Sequence, residues 1–242
     1  MNFVIPMAGR GDRFVKAGFN IPKMLIEAHG KTILEWSVDS LPIELCTNLI
    51  FIALKEHNDK YDLHRILDLK YGSKTNVRLI TIEQVTRGQA ETVLCAEKLL
   101  NKTKALVIFN IDTYFVSNTI KNSLLREDVN GVLGAFRSSE SRFSFARMDE
   151  SGYVRQTAEK IPISDYALTG LYHFSDSQAF IDVAKKRIRQ NKTDKGEFYI
   201  APMYNDLIQL GKKFIIDIAN EHWILGTPEE LEDFRSSFKF SI

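Results

Sequence analysis

The chain has 242 residues, a length that one α/β domain can hold and that buries roughly three quarters of its unfolded surface. Hydrophobic residues at 44% and charged residues at 26%, with 13 Gly and 6 Pro, exclude long disordered or collagen-like stretches. Lys and Arg total 32 against 31 Asp and Glu, so no global positive field holds a nucleic acid or an anionic bilayer, and an anionic ligand must be met by local charge.

A single domain over 1–242 is expected, with small-molecule partners and neither nucleic acid nor membrane; the oligomeric state stays open. The first residues lack the basic flank and apolar run of a signal peptide, and no run of 18 apolar residues occurs, which predicts a soluble, cytoplasmic protein. Cys46 and Cys95 have apolar neighbours and no ligand-spaced partner, which argues against structural zinc.

In chain order, short apolar runs at 2–6, 48–54, 77–82, 105–109 and 131–136 read as strands. Between them 33–41, 57–71, 89–100 and 117–126 carry apolar residues at helical spacing, which is the βαβα order of a doubly wound, mostly parallel sheet with right-handed crossovers. Beyond Phe136 the pattern turns β-rich, with strands expected at 143–148, 154–158 and 167–174. A basic helix at 182–190, a helix at 201–210, a strand at 214–218 and a last helix follow. Thr227-Pro228-Glu229-Glu230 reads as the capping box that opens that last helix.

The chemistry gathers after the first strand, at Met7-Ala8-Gly9-Arg10-Gly11-Asp12-Arg13. The carboxyl end of a parallel strand is where open α/β sheets bind ligands. Gly9 and Gly11 permit positive φ, so that backbone N–H groups can close on phosphate oxygens. Up to Lys23, four cations (Arg10, Arg13, Lys16 and Lys23) stand against one carboxylate, Asp12. A lone Gly-x-Gly is equally well a tight turn with solvated arginines. Phe14 occupies the place of a dinucleotide fingerprint's third glycine, and Gly30-Lys31-Thr32 has Leu25 where a P-loop needs its first, so both of those phosphate motifs fail.

These residues resemble the nucleotidyltransferases that activate sugar phosphates and similar acceptors for surface polysaccharides. The resemblance rests on Gly9-Arg10-Gly11-Asp12-Arg13, Pro22-Lys23 and Gly30-Lys31-Thr32. It continues through Arg87-Gly88-Gln89-Ala90, Asn110-Ile111-Asp112, Glu159-Lys160, Gly170-Leu171-Tyr172, Glu197-Phe198-Tyr199 and Gly226-Thr227-Pro228-Glu229. It implies a Rossmann-like fold with a nucleotide-binding half at about 1–115 and an acceptor-binding, β-rich half at about 116–242 in the same domain. By overall similarity the capsule-associated cytidylyltransferases are the nearest group, which makes CTP the favoured nucleoside triphosphate and a phosphorylated small molecule the acceptor.

The resemblance also implies roles. Arg13 holds the leaving end of the triphosphate, and Lys23 reaches the α-phosphate and the acceptor. Met7, Ala8, Gly9, Arg10, Gly11, Gln84, Gly88 and Gln89 bind the nucleotide; Glu159, Lys160, Gly170 and Glu197 bind the acceptor; Asp112 takes Mg²⁺. Read alone, Asp112 at a strand end is a turn or capping aspartate, and Glu159 with Lys160 a surface pair; the ordered set of motifs favours the functional reading. The five histidines are too scattered to nominate one for catalysis. One departure stands out: sugar-type relatives carry an Asp, the second metal ligand, where this chain has Ile224. Either Asp217 or Glu221 replaces it, with Glu221 preferred because alternation in 214–218 turns Asp217 toward solvent, or Asp112 serves alone with phosphates and water.

Overall fold

A computed structural model describes residues 1–239. The first half runs β1 (Asn2–Pro6), α1 (Asp12–Lys16), β2 (Glu27–Ala28), β3 (Lys31–Thr32), α2 (Ile33–Asp39), β4 (Asn48–Leu54), α3 (Lys55–Tyr61), α4 (Leu63–Tyr71), β5 (Asn76–Ile82), α5 (Gln89–Leu94) and β6 (Leu106–Phe109). The second runs β7 (Thr113–Val116), α6 (Ile120–Leu124), β8 (Gly131–Arg137), β9 (Ser144–Met148), β10 (Val154–Glu159), β11 (Tyr166–Phe174), α7 (Ser177–Arg189), α8 (Met203–Gln209), β12 (Phe214–Ile218), β13 (Glu221–Ile224) and α9 (Pro228–Ser237).

Apolar strands flanked by amphipathic helices give a nine-stranded sheet. Its main path is β5-β4-β1-β6-β11-β8-β12, and β9 with β10 attaches at one end of β11. β1 pairs in parallel with β4 and β6, β4 with β5, and β8 with β12, whereas β11 runs against both β6 and β8. Along that path β11 alone is reversed, so the sheet is Rossmann-like and mostly parallel. Alternation decides the faces: Phe3 and Ile5 pack with Leu34, Leu67 and Ile120 from α2, α4 and α6, while Val4 packs with Val93, Phe180 and Tyr204 from α5, α7 and α8. Helices on both faces leave the strand ends as the open ground for a ligand.

Several expected elements differ. The helix expected over 57–71 is two, because Asp62 takes φ 50 between α3 and α4. The one expected over 89–100 ends at Leu94. That over 117–126 shortens to α6, since the Ser117 hydroxyl accepts from the backbone of Thr119 and Ile120 and forms a side-chain turn ahead of it. The basic helix begins at Ser177, not 182, with the Asp176 carboxylate capping the Ala179 N–H at 2.7 Å. α1 and the antiparallel ribbon of β7 with β13 have no counterpart in the sequence reading. The capping box at α9 is half made: Thr227 accepts from the Glu230 N–H, but the Glu230 carboxylate accepts from Gly226 instead of Thr227. A complete box stands at Thr32 and Glu35. α9 is anchored by Phe234 and Leu231 against Phe14, Trp36 and Leu225. Among the described residues no helix is long and apolar enough to cross a membrane.

Candidate active site

The chain leaves β1 at Pro6, and the Met7 N–H still bonds to Ile52 at 2.8 Å, so the loop that follows starts from a fixed point. Gly11 takes φ +68 and starts α1. Among the described residues the N–H groups of 9–13 donate to no protein acceptor, which leaves a row of donors for anionic oxygen. Arg13 and Lys23 line a cavity of about 310 Å³ beside this loop, together with Asp112 and Gly226. Arg10 does not join them; it is exposed and lines a separate cavity on the outer side of the loop with His57 and Lys60.

Lys23 opens a single turn after Pro22, anchored by buried Met24, and its Nζ donates to Asp112 Oδ2 at 2.8 Å. Asp112 follows β6, where three bonds pin the backbone: Asn110 N–H to Gly170 at 3.3 Å, the Ser37 hydroxyl to Ile111 at 2.7 Å and Leu225 N–H to Asp112 at 2.7 Å. Burial pushes the Asp112 carboxyl up, but the charge and hydrogen bond of Lys23, with Arg13 beyond, outweigh it and hold the group below the ordinary carboxyl value. The result is an ionised carboxylate flanked by two cations.

In the 87–90 turn, Gly88 takes φ +144, and a Cβ there would sit 2.5 Å from the Phe198 nitrogen, so only glycine fits. The turn is stitched to Phe198 by two backbone bonds of 3.0 Å, Phe198 N–H to Arg87 and Ala90 N–H to Phe198. Gly88 and Gln89 border a side pocket of about 220 Å³ with Ala8, Gly9, Thr86 and Thr92, and Gln89 donates to Asn110 Oδ1 at 2.5 Å. Gln84 is exposed past the end of β5 and borders neither the side pocket nor the main cleft. Val85 and Thr86 from the loop and Thr92 from α5 occupy the place expected of it; as short apolar and hydroxyl residues they gave no signal.

The main cleft, about 450 Å³, joins Met7, Lys23 and Asp112 to Glu159, Glu197 and Arg142. Glu159 is buried and accepts a hydrogen bond from Ser144. Burial raises its carboxyl, the Ser144 hydroxyl and Lys160 pull it down, and Asp194 and Glu197 push it up again, for a net rise. Lys160, at φ 56, turns to Tyr199, whose hydroxyl it meets at 2.6 Å and which donates to Glu197 at 3.0 Å. Gly170 acts by absence: a Cβ there would lie 2.3 Å from the Asn110 side chain, so Gly170 is what lets Asn110 reach Gln89. Arg142, unnoticed in the sequence, enters from the loop between β8 and β9 and pairs with Glu140 and Glu230.

A carboxyl whose pKa is raised by folding binds its proton more tightly in the native state, so its contribution to stability declines as pH rises from the ordinary carboxyl range through the folded value. Glu159→Gln will therefore melt above wild type at neutral pH, and the gap will close as pH falls below that range. Acceptor use will drop about tenfold or more, the worth of a hydrogen bond to a charged group. Thermal melts across pH with parallel acceptor titrations check both halves.

The ribbon settles where the other carboxylates lie. Ile224 pairs with Thr113, next to Asp112, whereas Glu221 pairs with Val116, about 10 Å further along the strand. The Glu221 carboxylate accepts from the Trp223 indole at 2.6 Å, so the structure does not bring it to Asp112. Asp217 does not face solvent either; it is buried and accepts from the hydroxyls of Ser117, Thr119 and Ser123 at 2.5, 2.8 and 2.6 Å. Ile224 packs on the cluster of Phe136, Phe145 and Ala167. The carboxylate that does approach is Glu230. Its Oε2 and Asp112 Oδ2 each lie 3.3 Å from where a Cβ on Gly226 would stand, so they are no more than twice that distance apart. Among the described residues no group of three or more His, Cys, Asp and Glu gathers at metal-binding geometry.

An open α/β sheet whose first loop offers free N–H groups, with Lys23, Arg13 and an aspartate at the next strand end, defines a phosphate-handling protein. A family model described as nucleotidyl transferase matches residues 3–233, and the chain belongs to that family. A nucleoside-diphosphate-sugar pyrophosphorylase from Vibrio cholerae RC9 shares 33% identity, covers 97% of this chain and 100% of its own, and superposes with TM-score 0.83. A UDP-glucose pyrophosphorylase complexed with UDP-glucose, at 15% identity and TM-score 0.78 over 98% of this chain and 97% of its own, shares the fold. A 2-C-methyl-D-erythritol 4-phosphate cytidylyltransferase from Idiomarina loihiensis is 30% identical over 96 residues, 40% of this chain and 34% of that protein. This chain thus matches about a third of that relative's length.

Proposed function

We propose that the protein transfers a nucleoside monophosphate from CTP to a phosphorylated small molecule, with release of pyrophosphate, in the biosynthesis of a capsule or other surface polysaccharide. Phosphoglutamine is the specific acceptor we favour. The observation that carries the transferase reading is the Lys23–Asp112 pair, which lines both the cavity beside the donor loop and the Glu159 cleft. An acceptor phosphate oxygen forms a bond to the α-phosphorus, and the bond to the β-phosphate oxygen breaks with its electron pair leaving on pyrophosphate. The attacking oxygen is already anionic, so no general base is needed. The N–H row and Arg13 hold the leaving phosphates, and Lys23 meets the charge that spreads over the α-phosphoryl oxygens.

The donor set fits Mg²⁺: Asp112 offers a hard, ionised oxygen, and Gly226 leaves open the space beside it that a Cβ would fill. When bound there the ion neutralises phosphate charge. Asp112 would be its protein ligand, with Glu230 a further carboxylate beside the same space. Support for cytidine comes from the sequence resemblance and the partial match to a cytidylyltransferase; Glu159, a buried carboxylate bonded to the Ser144 hydroxyl at the cleft wall, suits an acceptor that carries an ammonium group.

The test measures pyrophosphate release from CTP, UTP, dTTP, GTP and ATP, each with phosphoglutamine and with sugar 1-phosphates. CTP with phosphoglutamine should turn over fastest; a faster sugar 1-phosphate would overturn the acceptor. Binding without turnover in every pairing would favour a nucleotide-binding regulator, the reading suggested by Ile224 in place of a carboxylate. Titration of Mg²⁺ separates the metal carboxylates: Glu221→Ala will keep the wild-type half-saturating concentration, and a severalfold rise would restore Glu221 to the metal.

A further inference from the structure

Arg187, on α7, is 3% exposed, and nothing in the transfer reaction calls for it. Its guanidinium pairs with Asp194 and, at 2.8 Å, with Asp206, and it donates to the Pro202 carbonyl at 3.3 Å. One side chain thus ties α7, the start of α8 and the segment between them. A buried ion pair of this kind adds little stability over a well-packed apolar group, so stability alone does not explain it.

The segment it grips leads into both halves of the site. Asn191 and Lys195 hold φ 49 and 50, and Gly196 φ 85, backbone conformations that persist in non-glycine residues only where their surroundings fix them. Asp194 and Glu197 bond to each other through both backbone groups, at 2.9 and 3.0 Å. Glu197 and Tyr199 line the acceptor side of the cleft. Phe198 between them is 1% exposed, holds the 87–90 turn by its two backbone bonds, and has the Arg87 guanidinium over its ring at 5.0 Å.

We propose that Arg187 is a positioning residue: through Asp194 it sets the 194–199 segment, and with it the acceptor residues Glu197 and Tyr199 and the nucleotide turn that leans on Phe198. The nucleotide and acceptor sites then share one strut. The acceptor half rests on the transferase reading; the nucleotide half needs only that CTP binds at the 87–90 turn.

Asp194 is the place to cut, since it lies at the segment's outer end and lines neither pocket; its charge is felt at Glu159, so CTP affinity, not acceptor use, is the deciding readout. Asp194→Asn removes one of Arg187's two carboxylates and leaves Asp206. CTP affinity by calorimetry will fall about fivefold or more, the scale of coupling between linked sites, with the melting temperature close to wild type, and the KM for phosphoglutamine will rise alongside. Arg187→Lys, which keeps the charge but not the fork, will fall between. Wild-type CTP affinity in a folded Asp194→Asn protein overturns the proposal, as does a loss of melting temperature with both affinities intact. Absence of turnover in the wild-type protein would instead refute the transferase reading and leave the calorimetric result standing.

Discussion

Asp112→Asn will abolish measurable nucleotidyl transfer while leaving the fold in place. The substitution keeps volume and one acceptor oxygen but removes the charge that a divalent cation requires. Lys23 holds the wild-type carboxyl below its ordinary pKa, so ionised Asp112 contributes stability above the ordinary carboxyl range, and that contribution is lost as pH falls through the folded value. The pair is partly open to solvent, at 19% and 30% side-chain exposure, which limits the stability lost in the variant to about 1 kcal/mol or less. Two backbone bonds and one from the Ser37 hydroxyl hold the strand end regardless of this side chain. A variant that melts early yet turns over normally at the same Mg²⁺ concentration would make Asp112 a structural aspartate.

Lys23→Ala will lower turnover by about two to three orders of magnitude under saturating substrates, the range for removing a preorganised charge from a transition state. The turn itself is built by Pro22 and buried Met24, so the loop keeps its place. The variant keeps Arg13 beside Asp112, but with the Lys23 charge and hydrogen bond gone burial is less opposed, and the carboxyl will titrate higher than in wild type. Unchanged turnover would remove Lys23 from the mechanism.

What the sequence revealed follows from how local each signal is. β1, β4 and β12 stand at the expected bounds, because an uninterrupted apolar run between turn residues has few other readings. Lys23 and Asp112 were legible as motif members although 89 positions separate them. The ribbon of β7 and β13 was not: each is four residues long, too short for a periodic pattern, and its register alone decides that Glu221 points away and Gly226 returns to Asp112. The alternation that turned Asp217 to solvent assumed one wet face, whereas the chain after β7 covers that face with three hydroxyls. Arg142 reaches Glu230 across 88 positions, and no spacing rule connects a loop to a helix that far along. Gly170 belongs to the acceptor set by motif; the fold adds that its missing side chain makes room for Asn110.

The most direct measurement of the central claim follows one tube of protein, CTP, Mg²⁺ and phosphoglutamine by phosphorus NMR. Nucleotidyl transfer predicts that the three triphosphate resonances are replaced by pyrophosphate and by a pair of coupled resonances from a new diphosphate bridge between the CMP moiety and the acceptor. Growth of inorganic phosphate and CDP instead, or a spectrum unchanged for every nucleotide and phosphorylated acceptor supplied, would contradict it.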